Sequence, residues 1–227
     1  MLILADRRIP EPARKKLEAY GKVLWLEPGK TTYEAISAHP DIFICPVGDQ
    51  LIIAPNLSRK VKTKLQEYGV NYTQGENPVG EKYPETARYN VVVTDKYLIS
   101  NTNFTDRYIL EAAGNREIIH VNQGYTRCNL IPLQNNRFIT SDKGIEKTLL
   151  QHDLEILFVE PDRIVLPGFN HGFIGGTCGV WQDRLFFIGS LNYFPEGGKI
   201  REFVQNMEVV ELYDGPLFDG GSLIFTE

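Results

Sequence analysis

Short apolar runs broken by polar turns dominate this chain, and five of them share one design. PDIFICPVGDQLIIAPN, YNVVVTDKYLISNTN, YTRCNLIPLQNNRFITSD, GGTCGVWQDRLFFIGS and DGGSLIF each read as strands around a short polar turn that lead into a helix or stop. They begin at Pro40, Tyr89, Tyr125, Gly175 and Asp219, roughly 35 to 50 residues apart, a spacing that marks a repeat architecture. Equivalent strands of a closed ring converge on one axis, so any chemistry is expected there.

The remaining elements fit between these hairpins. Residues 2–5 read as a buried strand, and residues 10–20 as a helix with Ala13, Leu17 and Tyr20 on one face and Gly21 as its stop. A strand at 23–26 and a short helix at 32–38, ended by His39-Pro40, precede the first hairpin strand at 42–45. Asn56 or Ser58 is the expected cap of the next helix, Thr105 or Asn103 that of the second unit's helix, and Ser141-Asp142 opens another. Residues 71–83 are polar, rich in Gly and Pro and without periodicity, which predicts a long surface loop. Further strands are expected at 118–121, 155–159, 163–166 and 209–212, with a helix at 197–205. The strand at 2–5 has no partner in its own neighbourhood and can complete the last unit by sealing the ring. No Pro- or Ser-rich linker divides the chain, so residues 1–227 read as one domain.

Composition narrows the classes of function. The 227 residues are 42% hydrophobic and carry a net charge of −5, which speaks against a nucleic-acid partner needing a basic face. Arg59, Lys60, Lys62 and Lys64 cluster, but read as the solvated face of an amphipathic helix. No run of about 18 apolar residues occurs, so no membrane-spanning helix is expected. The segment MLILADRRIP is too short for a signal-peptide core, and three widely spaced cysteines make no disulfide framework; both lead to an expected cytoplasmic setting.

A strand pair and helix repeated five times resembles the α/β propeller of the pentein, or guanidine-modifying-enzyme, superfamily, with its pseudo-fivefold symmetry. That group includes dimethylarginine dimethylaminohydrolase, arginine deiminase and amidinotransferases. The segment NHGFIGGTCGVWQDRLFFIGS is similar to the fourth repeat of the dimethylarginine enzymes, where a catalytic His precedes a strand pair ending in an Ile-Gly-Ser turn. Gly220-Gly221-Ser222-Leu223-Ile224 is similar to the segment that carries their catalytic cysteine. The resemblance implies a cysteine thiolate attacking a guanidinium carbon, a His as general acid and base, and carboxylates gripping the guanidinium nitrogens. His171 matches the His, with two extra residues before the strands. The nucleophile position falls on Gly220 or its neighbour Ser222. The carboxylate-bearing segment falls at Gln123-Gly124-Tyr125, which has no acid.

These matches and gaps set the candidate residues. His171 lies in a glycine-rich loop that permits close approach to a ligand, and Cys178 seven residues on is either a packed strand residue or a relocated nucleophile. Cys45 and Cys128 fall on the first strands of their own hairpins and can meet Cys178 near the axis, a thiolate set for zinc if the register allows. Asn122, Gln123, Tyr125, Arg127, Asn170, Asp214 and Asp219 are the candidate ligand-binding residues, Arg127 as a fork for a carboxylate. His39, His120 and His152 have no evident polar neighbours in sequence. Asp49, Asp95 and Asp183 read as turn residues. GFIGGTCG leads into a strand, not a helix, and lacks the following Lys, so it is no phosphate cradle. No cofactor is expected. The preferred reading is a small-molecule- or partner-binding member of the fold without the guanidine-modifying reaction, as the ribosome anti-association factors of this fold are non-catalytic. Its ligand would be small and polar, in an axial pocket. The alternative is a hydrolase or transferase acting on a C–N bond of an amidine or amide through Cys178 and His171.

Overall fold

Most of the apolar runs become strands of five three-stranded sheets in the computed structural model, which describes residues 1–227. The chain starts with β1 (Leu2–Asp6), α1 (Glu11–Glu18) and β2 (Lys22–Leu26), and β1 and β2 pair in parallel across the helical crossover. The first hairpin unit follows as α2 (Pro40–Phe43), β3 (Ile44–Val47), β4 (Gln50–Ile53), α3 (Arg59–Glu67) and β5 (Tyr72–Gln74). The second contains β6 (Val92–Val93), β7 (Tyr97–Ser100), α4 (Arg107–Glu111) and β8 (Glu117–His120). The third contains α5 (Thr126–Asn129), β9 (Leu130–Pro132), β10 (Arg137–Thr140), α6 (Lys143–Leu150) and β11 (Glu155–Phe158). The fourth contains β12 (Cys178–Trp181), β13 (Arg184–Phe187), α7 (Gly197–Phe203) and β14 (Glu208–Glu211). β15 (Ile224–Thr226) then pairs antiparallel with β1, Leu2 opposite Thr226, so the last strand completes the sheet begun by the first.

Every sheet repeats one rule: an inner strand, an antiparallel middle strand, and an outer strand returned in parallel after a helix. Middle strands are covered on both faces and therefore read as continuous apolar runs, such as Leu51-Ile52-Ile53 and Phe138-Ile139, all buried. Inner strands are short, and those of successive units lie side by side. The fifth junction is made by Asp41, whose N–H donates to the Gly221 carbonyl at 3.1 Å. No helix is long and apolar enough to cross a membrane.

Several expectations shift. The strands predicted at 42–45 and through Cys128 begin later, because each is preceded by a one-turn helix; Cys128 lies in α5 rather than on a strand. A four-residue helix inside an apolar run leaves no period to read. Residues 32–38 form only a 3₁₀ turn at Glu34–Ile36, and 163–166 only an isolated bridge from Val165 to Phe218. Ser58 and Asp142 cap their helices as expected, but the cap of α4 is Asp106, not Thr105 or Asn103.

Asp106 also explains why residues 71–83 are more ordered than a surface loop. Residues 72–74 form β5, and the following turn is pinned to the Asp106 carboxylate by the N–H groups of Glu76 (3.0 Å) and Asn77 (2.8 Å). The same carboxylate accepts the Tyr108 N–H at 3.0 Å and is fully enclosed. Asp106→Ala removes a cap and leaves the part-buried N–H groups of Glu76, Asn77 and Tyr108 without their acceptor. It is expected to lower the unfolding free energy by about 2–4 kcal/mol, read from urea denaturation. A loss under about 0.5 kcal/mol, the level of an ordinary surface change, would contradict this account.

Candidate functional site

On one side of the axis the loops before the inner strands enclose a cavity of about 560 Å³. His39 lies at its base, between the carboxylates of Asp6 and Asp219. Its Nε2 is 3.8 Å from Asp6 Oδ2 and its Nδ1 3.9 Å from Asp219 Oδ1, and Nδ1 has no hydrogen-bond partner. Tyr33, Phe169 and Phe218 form apolar walls, and Arg8 and Glu34 complete the polar lining.

Local sequence explains each position. His39 precedes Pro40, whose ring favours extended backbone at the residue before it and starts α2 at once. Asp6 ends β1, and Asp219 sits in the loop that leads into β15. Two glycines allow the close packing: Gly221, at φ +69°, has its missing Cβ directed into His39, and a side chain at Gly176 would overlap the Asp219 carboxylate.

The two carboxylates differ in kind. Asp6 is already neutralised by Arg8, whose Nη2 and Nε donate to it at 2.6 and 3.0 Å while the fork also reaches the Ala35 carbonyl. Asp219 has no such cation. Burial pushes its carboxyl above the usual range. The nearby His39 opposes that rise, Asp41 adds to it, and the Phe173 and Gly221 N–H groups oppose it. Beside this cavity lies a smaller one of about 130 Å³ that shares Tyr33, His39 and Asp219 and adds Tyr125, Cys128 and His171.

Beneath both runs a buried polar layer centred on Asp41. Its Oδ2 accepts from Ser222 Oγ at 2.7 Å and from the Cys128 thiol at 3.2 Å, and its carbonyl accepts from Asn90 at 3.2 Å. Ser222 Oγ also lies 3.0 Å from the Gly175 carbonyl. Burial holds the Cys128 thiol well above its ordinary pKa, and the charges of Asp41 and Asp219 add to it.

The predicted residues divide. Asp219 and Tyr125 line the cavities, the Tyr125 hydroxyl lying 2.5 Å from Thr86 and 3.2 Å from Tyr33. His171 lines the smaller cavity, with Nδ1 against the Gly172 carbonyl at 2.9 Å. Cys178 is not its partner: it is buried in β12, its sulfur faces the Gly175 carbonyl, and burial drives its pKa strongly upward. Arg127 and Cys178 border a different cavity, described below. Gln123 is tied to Asp142, while Asn122 and Asn170 are exposed outside both lining sets. Asp214 is exposed and pairs with Tyr193. The cysteines do not converge. Cys45 faces Pro46 and Val91 carbonyls, Cys128 faces Asp41, and no group of three or more His, Cys, Asp or Glu is placed to hold a metal ion.

His39 overturns the expectation that it lacks polar neighbours. Its carboxylates come from the first and last units, so nothing near it in sequence announces them. His120 and His152 also have partners, Thr102 and Glu117, but at exposed positions. Asp6, Arg8, Tyr33 and Asp41 were equally silent; only the His-Pro-Asp run immediately before an inner strand offered a signal.

Comparison with known proteins agrees with this architecture. Residues 4–224 match the profile of a Family of unknown function (DUF6873). No curated protein sequence matches the chain. Among solved structures, the inosamine-phosphate amidinotransferase from Streptomyces griseus superposes with a TM-score of 0.61 at 13% identity, over 97% of this chain and 81% of that one. A mutant DDAH from Pseudomonas aeruginosa complexed with citrulline gives 0.56 at 13%, over 92% and 91%. C. jejuni agmatine deiminase gives 0.55 at 10%, over 93% and 87%. At these identities the likeness is one of fold, and the fold is that of the penteins.

The raised Asp219 carboxyl has a definite sign. The folded state keeps this proton to higher pH than the unfolded chain, so the associated stability is present below the ordinary carboxylate range. It is lost as pH rises from about 4 through the folded value. The stability difference between wild type and Asp219→Asn is therefore expected to move against wild type over that rise, read from urea midpoints at stepped pH. A pH-independent difference would refute it.

Proposed function

Given that the chain belongs to this family of unknown function and has the pentein fold, we propose that it binds a small molecule with a cationic head, a guanidine, amidine or amine, in the cavity above His39. The carrying observation is the balance of charge there. Asp6, Glu34 and Asp219 face a single cation, Arg8, which is spent on Asp6 and backbone carbonyls. Tyr33, Phe169 and Phe218 supply aromatic surface for the ligand's body and for cation–π contact with its head. His39, flanked by two carboxylates, can exchange a proton with a bound head group.

The reading without guanidine-modifying chemistry rests on the thiols. None borders the larger cavity, and burial raises the pKa of all three, Cys45 to about 12. A thiol held protonated is a poor nucleophile. Three unpaired, buried cysteines also suit a reduced, cytoplasmic setting.

A second reading, a hydrolase acting on the C–N bond of a small amidine, is favoured by one observation. Cys128 borders the smaller cavity together with His39, His171 and Asp219. It displaces Cys178 as the candidate nucleophile of that reading, since Cys178 and His171 border separate cavities.

Thermal-shift titration with alkylguanidines, alkylamines and carboxylic acids of matched size separates these readings. Saturable stabilisation is expected from the cationic set alone, weakened roughly three- to tenfold by Tyr33→Ala. The binder reading predicts unchanged ligand on prolonged incubation and binding retained in Cys128→Ser. Ammonia or amine release lost in Cys128→Ser would establish the hydrolase instead, and stabilisation by acids alone would refute both.

A further inference from the structure

We propose that the narrow cavity enclosed by the five inner strands is a binding site for a small oxyanion of the carboxylate or phosphate class, held by the guanidinium of Arg127. This compartment holds about 170 Å³. It is bordered by one residue or more from each inner strand, among them Pro46, Val93, Pro132, Val180 and Phe225. The polar layer of Asp41, Ser222 and Gly175 lies between it and the cavities above His39, and Ser222 and Gly175 form part of its lining. The site is therefore separate from the one proposed above and does not depend on it.

Arg127 is the only charged residue that borders this space. Its Nε is fully enclosed and has no hydrogen-bond partner, and no carboxylate in the molecule forms an ion pair with it. Arg8 is paired with Asp6 and Arg137 with Glu155; Arg14 shares an enclosed, unpartnered Nε, but its guanidinium donates to the Arg7 carbonyl and it does not border this space. Guanidinium groups keep their charge in protein interiors, so a half-buried one such as Arg127, with its Nε enclosed, favours a counter-charge. With 29 acidic residues against 24 basic ones, the chain is not short of carboxylates. It places none here.

The field of the cation is felt inside the ring. It opposes the effect of burial on the thiols of Cys45 and Cys178, which lie in different units. The volume fits the occupant: at about 30 Å³ per water, the space of about 170 Å³ holds roughly five to six waters, or one acetate- or phosphate-sized anion with some of them. The guanidinium fork favours planar or tetrahedral oxyanions, which accept two parallel bonds, over a spherical halide. Apart from the Ser222 hydroxyl and backbone groups, the rest of the lining is apolar, so charge and size would select the ligand.

Acetate and phosphate, each titrated against sodium chloride at constant ionic strength, test the assignment by thermal shift. Saturable stabilisation by the oxyanions beyond that of chloride is expected, with apparent affinity at least tenfold weaker in Arg127→Gln, partly restored in Arg127→Lys, and unchanged in Tyr33→Ala. Equal stabilisation by chloride, or an undiminished response in Arg127→Gln, would overturn it. Should that variant fail to fold, crystals of the wild-type protein soaked in selenate decide the matter. An anomalous peak within hydrogen-bond distance of the Arg127 guanidinium supports the site, and an empty cavity refutes it.

Discussion

A single enclosed carboxylate joins the repeating units. Asp41 has no exposed surface, yet its backbone and side chain reach the second unit through Asn90, the third through Cys128, and the closing segment through Gly221 and Ser222. Ser222 adds the fourth unit through the Gly175 carbonyl. Burying such a group is costly, and the cost is met on one side only: Oδ2 is filled by Ser222 and Cys128, whereas Oδ1 has no partner. Each unit contributes at least one polar atom to a common layer, and the units must meet in register for that layer to form. The apolar clusters between strands and helices give the fold its bulk, whereas this layer dictates which unit stands next to which.

The layer also divides the axis into two environments of opposite character. Toward the loops, carboxylates outnumber cations around an imidazole. Toward the inner strands, one guanidinium stands among apolar side chains. Both rest on the same architecture: short inner strands bring five chain segments close together, and whichever side chains occupy their ends face a shared space. Ligand preference in such a molecule depends on a handful of residues at strand ends, and the sheets themselves are indifferent to it.

The sequence made the repeats legible because a strand pair with a polar turn has a strong local period, and because each middle strand, covered on both faces, is an unbroken apolar run. It also made the unpaired first strand legible, since residues 2–5 had no neighbour with which to form a hairpin. The site was much less visible. Tyr125 was found because it falls in a polar cluster where a strand nears the axis, and Asp219 because it brackets, with Asp214, the tight DGPLFDGG loop. His39 was discounted since its partners lie at residues 6 and 219, and only closure of the ring unites them. Cys178 attracted attention for its nearness to His171 in sequence, but β12 turns it into a separate space. The one-turn helices α2 and α5 escaped because four residues carry no detectable helical period, and the second of them moved Cys128 from a strand to the polar layer.

The pairing of β15 with β1 has a consequence for how the molecule is made. Four sheets are local, each assembled from a segment of fewer than about fifty residues, a scale on which loop-closure entropy is modest. The fifth joins the strand synthesised first to the one synthesised last of the fifteen. During translation β1 and β2 therefore wait with an open edge while the other four units emerge. The carboxylate of Asp6 and the imidazole of His39 likewise wait for Asp219. Assembly of the cavity above His39 and closure of the ring are the same late event, so a nascent or truncated chain that lacks residues 219–226 can bury much of its core and still leave that cavity incomplete.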